Sequence, residues 1–238
     1  MLEAPSSSPE TASDPSRRVR RKQARPGELL QAALELFVDK GYAATRVEEV
    51  AQRAGVSKGT LFLYFASKED LFKAVVRENI SGRFPQWSLE VDSHTGTSAD
   101  LLRRCVQEWW MRVGATKASG ISKLIMSEAG NFPELATFYQ QEVVVPGNEL
   151  IRRILQRGVD EGEFKINNMA CSIYAVLAPL RLLGLSQHSL GGQGGGCTPD
   201  LQTAEFLDVH VNTLLHGLCI QPGPAVQRPG PDPDTFLP

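Results

Sequence analysis

The spacing most suggestive of catalysis in this sequence is a serine between two glycines. Residues Gly55, Val56, Ser57, Lys58 and Gly59 match G-x-S-x-G, the nucleophile elbow of α/β-hydrolases. That elbow needs a strand before the serine, and an acid and a histidine later in the chain. Here the preceding periodicity is helical. No recognisable catalytic setting surrounds any of the four histidines, His94, His188, His210 and His216. We therefore expect no enzyme, although a hydrolase using Ser57 is the third function considered.

The sequence also contains no motif typical of a metal site or a nucleotide-binding site. The cysteines lie far apart without a C-x-x-C pair, as is typical of scattered buried thiols rather than a zinc site or disulfide framework. They are Cys105, Cys171, Cys197 and Cys219. The glycine-rich segment 191–196, GGQGGG, lacks both the GK[ST] ending and the preceding strand of a phosphate-binding loop. We expect a flexible loop there, no metal and no cofactor.

Composition places the chain among ordinary globular proteins. Of 238 residues, 42% are hydrophobic and 22% are charged, which is enough apolar material for a core and excludes disorder throughout. The N-terminus has neither a basic start nor an apolar stretch, so we expect no secretory signal. The longest apolar segment, 170–185, is interrupted by Pro179 and Arg181 and is shorter than a membrane span. These features predict a cytoplasmic protein that does not contact a membrane.

The elements that would position Ser57 and its neighbours are short helices. Pro26 suits a first helical turn, and apolar residues follow at helical spacing up to Gly41, a predicted left-handed cap. Thr45 and Glu48 predict a capping box at the start of a second helix, which ends at Gly55. Two further helices are predicted to begin at serines. Ser57 caps a helix that runs to about residue 65, and Ser67 with Asp70 forms a box for the next.

Helical periodicity continues to residue 218, and no segment alternates with the period of a strand. The predicted helices cover 101–111, 121–127, 133–141, 148–158, 169–185 and 204–218. The fold class is therefore all-α. We expect a disordered basic arm at 1–24, a first helical domain at 25–78, a second helical domain at 79–218, and a disordered tail at 219–238.

Two short helices joined by the residues AGVS form a helix-turn-helix. Gly55 permits the sharp turn, Val56 fills the angle between the helices, and Ser57 caps the second helix. Such a unit places its second helix in the major groove of duplex DNA. A helical hairpin without any ligand remains the alternative on these residues alone. The net charge of −2 does not decide between them, because Arg17, Arg18, Arg20, Arg21, Lys22 and Arg25 form a basic N-terminal block.

The segment 54–71, AGVSKGTLFLYFASKEDL, resembles the DNA-binding domain of the TetR family of transcriptional regulators. The resemblance covers about residues 26–78 and departs at Phe62, where many members carry Tyr. A weaker similarity to C-terminal domains of some TetR-type proteins covers residues 126–162. The resemblance implies a three-helix DNA-binding domain followed by a helical ligand-binding and dimerisation domain.

Ser57, Lys58, Gly59 and Thr60 form the first turn of the predicted recognition helix, where backbone N–H groups favour a phosphate. Gly59 leaves room for DNA. Thr60 and Leu63 are predicted to point outward, opposite Leu61 and Phe65, so that they could reach a base edge and a thymine methyl group. The remaining predicted DNA contacts are Thr45, Arg46, Phe62, Tyr64 and Lys68.

The family resemblance implies that Tyr64, Lys68 and Thr45 contact the DNA backbone. Without a hydroxyl, Phe62 is expected to pack or to contact sugar. Arg46 is a further phosphate partner or a solvated charge.

The second domain is expected to contain an effector pocket and a dimer interface, as the resemblance implies. Its aromatic and apolar side chains, among them Trp87, are pocket candidates or ordinary core. The predicted pocket comprises Trp109, Trp110, Met126, Phe138, Tyr139, Tyr174 and Leu177. Two helices near the end match family positions that pair as a four-helix bundle. The predicted interface comprises Ile173, Leu180, Leu207, Val211, Leu214 and Leu215.

The sequence thus predicts a homodimeric repressor that binds double-stranded DNA at a palindromic operator and responds to a small-molecule effector. The alternative is a helical small-molecule-binding protein without sequence-specific DNA binding. The basic N-terminal arm is expected either to enter a minor groove or to be a solvated tail.

Overall fold

The computed structural model of the protein describes residues 15–189 and 203–218, and within them every regular element is helical. The predicted all-α fold class is confirmed. The predicted loop at 191–196 and the tail at 219–238 lie outside the described residues, as does the arm before residue 15. The α-helices are α1 (Pro15–Lys40), α2 (Val47–Arg53), α3 (Lys58–Phe62), α4 (Lys68–Asn79), α5 (Phe84–Asp92), α6 (Ser98–Trp109), α7 (Gly120–Glu128), α8 (Pro133–Tyr139), α9 (Val145–Asp160), α10 (Met169–Ser189) and α11 (Thr203–Leu218).

Helices α1 to α4 form the N-terminal domain, and its helix ends follow the predicted local chemistry. Gly41 and Gly55 adopt positive φ angles of 87° and 68°, a conformation that costs glycine little. Ser57 accepts a hydrogen bond from the Thr60 N–H, and Ser67 accepts one from the Asp70 N–H. The apolar faces of α1, α2 and α4 meet in a core around Phe37, as their spacing predicts.

Two predictions for this domain are wrong. Helix α1 begins at Pro15 instead of near Pro26, so residues 15–24 are helical rather than a disordered arm. Arginine, lysine, glutamine and alanine are good helix formers, and Pro15 suits a first turn, so the helix can extend through the basic block. The predicted capping box at Thr45 is absent, because Arg46 occupies the N-cap position of α2 without a side-chain cap.

Helices α5 to α11 form the C-terminal domain, which contacts the N-terminal one through α1, α4, α7 and α8. The six helices predicted here are present, with α5 as an addition that its weak periodicity did not reveal. Two π-helical turns, Trp110–Gly114 and Gln140–Val144, extend α6 and join α8 to α9. Gly114 is required in the first turn because a Cβ there would lie 2.2 Å from the Trp110 ring.

Helix α10 is more apolar than expected. By length and composition its segment Met169–His188 could cross a membrane, with a mean hydropathy of 1.6 over its best window despite Pro179 and Arg181. The expectation that no segment is long and apolar enough to cross a membrane is therefore wrong. Only 28% of that window is buried within the protein. Several of its remaining apolar side chains, among them Ile173 and Leu177, pack partly against the core, and others, among them Tyr174 and Leu182, are exposed.

Candidate nucleic-acid interface

The helix-turn-helix consists of α2 and α3, joined at Gly55. Ser57 Oγ accepts from the Thr60 N–H at 3.1 Å and lies 2.9 Å from Thr60 Oγ1, which fixes the first turn of α3. Leu61 is completely buried and Phe65 packs against the same core. The opposite side of α3 therefore faces outward, as predicted. Ser57 follows a helix, which is not the strand-to-helix turn that a nucleophile elbow requires.

Three consecutive large apolar side chains are exposed at the end of α3. Leu63 has 84% of its surface exposed, and Phe62 and Tyr64 are also exposed beside it. A Cβ on Gly59 would come no closer than 3.8 Å to another side chain, so packing within the protein does not require glycine there. We call Phe62, Leu63 and Tyr64 the recognition surface.

Cations flank this surface, and one of them is paired. Lys58 Nζ lies 2.6 Å from Glu48 Oε1 and 5.7 Å from the centre of the Phe62 ring. The Lys58 ammonium holds the pKa of the Glu48 carboxyl below its usual range. Arg46 is exposed at the start of α2. A phosphate must therefore compete with Glu48 for Lys58. Glu48 is a weak competitor, because exposed ion pairs contribute little free energy.

Thr45 does not fit the predicted role of a DNA contact. Its side chain is buried, and its hydroxyl lies within hydrogen-bonding distance of the carbonyl oxygens of Gly41 and Leu36, at 2.7 and 3.1 Å. The hydroxyl thus fixes the turn before α2. The sequence could not show this, because the Leu36 carbonyl comes from the last turns of the preceding helix.

Lys68 also serves the protein itself. Its ammonium donates to the carbonyl oxygens of Tyr42, Ala43 and Thr45, at 2.7, 3.3 and 3.0 Å, and lies 4.3 Å from the centre of the Tyr42 ring. Three carbonyls occupy all three N–H donors of an ammonium. Burial lowers the pKa of Lys68. Lys68 therefore has a structural role, and its contact with a DNA phosphate stays a prediction.

The predicted effector pocket is only partly assembled. Met126, with 71% of its surface exposed, and Tyr174, with 60%, lie on the outside of the protomer. Phe138 is buried, but Lys73 and Arg77 of α4 lie over its ring at 5.5 and 5.2 Å, so it joins the two domains. These three side chains do not converge on one cavity.

The other predicted pocket residues, Trp109, Trp110, Tyr139 and Leu177, are partly buried against the core. The Tyr139 hydroxyl lies 2.9 Å from Ser122 Oγ, and burial raises the pKa of Tyr139. Trp87, on α5, is buried with an indole N–H that has no hydrogen-bond partner among the described residues. A separate groove of about 320 Å³ is lined by Arg152, Arg153, Gln156, Arg157, Asp160 and Glu161.

The predicted dimer interface divides into two groups. Four of its members are buried within the protomer, so they belong to its own core instead: Leu180, Leu207, Val211 and Leu215. Ile173 and Leu214 are partly buried. The exposed face of α10 instead presents a stripe at spacings of three and four residues, formed by Cys171, Tyr174, Ala175, Ala178 and Leu182. We call these five residues the α10 stripe. In the sequence, the α10 stripe is visible only as small and apolar residues at helical spacing. This spacing does not show which face of the helix the rest of the protomer covers.

The comparison with known proteins agrees with the helix-turn-helix. Residues 29–75 match the family model described as bacterial regulatory proteins, tetR family. The transcriptional activator FasR of Mycolicibacterium smegmatis is 50% identical over 56 residues, which are 24% of this chain and 26% of that protein. The transcriptional repressor KstR2 of the same organism is 26% identical over 188 residues, which cover 77% of this chain and 85% of KstR2. The first match thus spans only about a quarter of the relative.

The fold agrees over a longer range. The structure of the transcriptional regulator FadR from Bacillus subtilis, in complex with stearoyl-CoA, has a TM-score of 0.63 at 17% identity, covering 80% of this chain and 98% of that one. At this identity the likeness concerns the fold alone. The family match and the exposed recognition surface lie on the same N-terminal helices. The N-terminal domain of this chain is thus similar to the DNA-binding domain of the tetR family of bacterial regulatory proteins.

Proposed function

We propose that this regulator is a homodimeric repressor that binds a palindromic operator and releases it when a small-molecule effector binds. The observation that carries the DNA-binding part is the recognition surface on α3. Three large apolar side chains face outward there, with the Lys58 ammonium near the Phe62 ring. A surface of this kind suits the major groove, where thymine methyl groups are apolar and phosphates flank the bases.

The dimer is supported by the α10 stripe. Arg181, the one charged residue in the apolar part of α10, donates to Asn148 Oδ1 of α9 at 3.1 Å, so its guanidinium is directed towards α9 and does not belong to the stripe. Exposed apolar patches of this kind mark protein interfaces. One recognition helix reads few base pairs, so two-fold pairing supplies both affinity and a palindromic site.

The effector is proposed to be a largely apolar molecule with one hydrogen-bond acceptor. The unpaired indole N–H of Trp87 supports this, because buried donors normally have partners. Trp109, Trp110, Tyr139 and Leu177 remain proposed pocket residues. The solved complex of FadR with stearoyl-CoA makes that compound a rational first probe. Repression as the sign of regulation is supported by the longer match to KstR2, although FasR is an activator.

Four further properties expected from the sequence are part of this proposal. The protein works in the cytoplasm, it is not an enzyme, and its DNA-binding and effector domains meet near residue 78. The basic block in residues 17–25 contacts the DNA backbone or minor groove. Deleting residues 1–24 should then lower the affinity and the salt dependence of DNA binding.

The first test is a selection of the purified protein on a random duplex library at two salt concentrations. Enrichment of a palindrome supports the proposal. Weak, salt-sensitive binding without enrichment contradicts sequence-specific recognition. No salt-sensitive binding at all favours the alternative, a helical small-molecule-binding protein.

The effector part is tested separately, by adding stearoyl-CoA to the protein bound to its selected operator. Release of the DNA, with free coenzyme A as the inactive control, supports an acyl-chain effector. Retention of the DNA excludes this compound. Trp87→Phe, which removes the N–H but keeps an aromatic ring, should weaken the response to an active compound.

A further inference from the structure

The turn between α1 and α2, residues 41–46, is held by the C-terminal domain at the point where the helix-turn-helix begins. The Ala43 N–H donates to Glu128 Oε1 at 3.0 Å, across 85 residues of sequence. Glu128 is the last residue of α7. A Cβ on Gly41 would lie 2.8 Å from the same oxygen, so the carboxylate packs directly on the glycine. The end of α7 thus touches the backbone of this turn.

A second contact lies beside the first. The Phe132 ring, which follows α7 and precedes α8, packs edge-on against Tyr42 with ring centres 4.8 Å apart. Tyr42 in turn packs on Phe37 of α1 and Phe72 of α4, at 5.6 Å in each case. Burial raises the pKa of Tyr42 to about 12. A side chain of the C-terminal domain therefore completes an aromatic cluster of the DNA-binding domain.

The opposite side of the same turn is held from within the DNA-binding domain. Lys68, at the start of α4, donates to the carbonyls of Tyr42, Ala43 and Thr45. The turn is thus held between the ammonium of Lys68 and the carboxylate of Glu128. Thr45 links it to the end of α1, and α2 begins two residues later. A displacement of α7 cannot leave this turn in place without breaking the hydrogen bond to Ala43.

We propose that Glu128 and Phe132 form the joint that fixes the orientation of the helix-turn-helix relative to the C-terminal domain. In a dimer held together by α10, this orientation sets the distance between the two recognition helices. Glu128 and Phe132 are positioning residues in this proposal, since they act through their contacts with Ala43 and Tyr42. The inference rests on the proposed dimeric DNA binding. Because proteins switch between discrete packed arrangements, an effector that moves α7 or α8 would act on the DNA through this joint.

The test is the dependence of affinity on operator spacing. The full-length protein is measured on its selected operator and on the same operator with one or two base pairs inserted between the half-sites. A fixed joint makes the wild-type protein discriminate strongly against the insertions. Glu128→Ala removes the acceptor for Ala43, so the ratio of the two dissociation constants should fall by about fivefold or more. Glu128→Gln keeps an acceptor oxygen and should retain most of the discrimination.

A purely stabilising role predicts a different pattern. Loss of folded protein would weaken binding to both operators equally and leave their ratio unchanged, and an unchanged ratio in Glu128→Ala would overturn the proposal. Phe132→Leu provides an independent variant if Glu128→Ala does not fold. It should also lower the ratio.

The matched control for charge is Glu78→Gln, at an exposed glutamate of α4, which should leave the ratio unchanged. Equal loss of discrimination in this control would also overturn the proposal. Failure of the wild-type protein to bind any operator would instead contradict the proposed function itself.

Discussion

Two surfaces of this protein expose large apolar side chains, and they differ in what surrounds them. The recognition surface is three residues long, lies at the end of a five-residue helix, and has the Lys58 ammonium near its Phe62 ring. The α10 stripe spans three turns of a 21-residue helix and contains no charged side chain, since Arg181 is directed towards Asn148 of α9. Both surfaces combine exposure with hydrophobicity, so exposure alone does not identify the partner.

The charge around each surface separates the two partners. DNA is a polyanion, so a surface that binds it carries cations beside the few apolar side chains that contact the bases. A second protein chain, in contrast, can cover a long uncharged stripe. Under the proposed function, the recognition surface faces DNA and the α10 stripe faces another copy of the chain. Substitutions that change apolar area or charge at one surface, and leave the other intact, test this assignment.

The largest effect is expected at the α10 stripe. Leu182→Glu would place an unpaired carboxylate in the proposed interface, at a cost of about 3–5 kcal/mol, and should yield a monomer in sedimentation. Affinity for the full palindrome should fall by about a hundredfold, because the second half-site no longer contributes. Met126→Glu is the matched control, since Met126 is equally exposed but lies outside the stripe. A dimeric Leu182→Glu protein would remove the basis for this interface.

A smaller effect is expected at the recognition surface. Leu63→Ala should lower operator affinity about tenfold and leave binding to scrambled DNA unchanged. If Leu63 contacts a thymine methyl group, replacing that thymine by uracil should cause a similar loss, with little further loss in Leu63→Ala. Leu89→Ala, at another exposed leucine, is the control and should have no effect on DNA binding. Equal losses on operator and scrambled DNA would argue against base recognition by Leu63.

The cation beside the recognition surface should affect all sequences alike. Lys58→Ala should weaken binding to operator and scrambled DNA by the same factor, and should reduce the salt slope by about one. Titrations at several salt concentrations measure this slope. Lys165→Ala, at an exposed lysine in the C-terminal domain, should leave the slope unchanged. A change in sequence preference in Lys58→Ala would assign this side chain to the bases instead.

The smallest effect is expected at Glu48, which competes with DNA phosphates for Lys58. Glu48→Gln removes the carboxylate that holds Lys58, so binding to any duplex should tighten by about twofold. The gain should shrink in a Lys58→Ala background, which separates release of Lys58 from a general loss of negative charge. Weaker binding by Glu48→Gln would show that the ion pair positions Lys58 productively.

Local sequence chemistry predicted much of the DNA-binding domain. Ser57 and Ser67 each bond to an N–H three residues ahead, and Gly41 and Gly55 supply backbone angles that their own lack of a side chain permits. The outward direction of Leu63 follows from the inward direction of Leu61 by helical geometry. Each of these features depends on residues within one or two turns, so a sequence pattern contains the information.

Some surroundings that the sequence did not reveal depend on distant partners. Lys68 was predicted to face DNA, yet carbonyls more than twenty residues earlier take its hydrogens. The four aliphatic residues assigned to the dimer interface have the same spacing as interface residues and are buried within the protomer. Periodicity shows that a helix has an apolar face, and it does not show which neighbour covers that face.

The sequence by itself determined the all-α class, the helix-turn-helix and the outward face of α3, because these follow from short-range hydrogen bonding and helical period. Only the tertiary structure decided which side chains are left for partners. It turned Thr45 and Lys68 inward, exposed the α10 stripe, and joined Glu128 to Ala43 across 85 residues. Such contacts arise from the packing of whole helices, which fixes side chains that are remote in sequence.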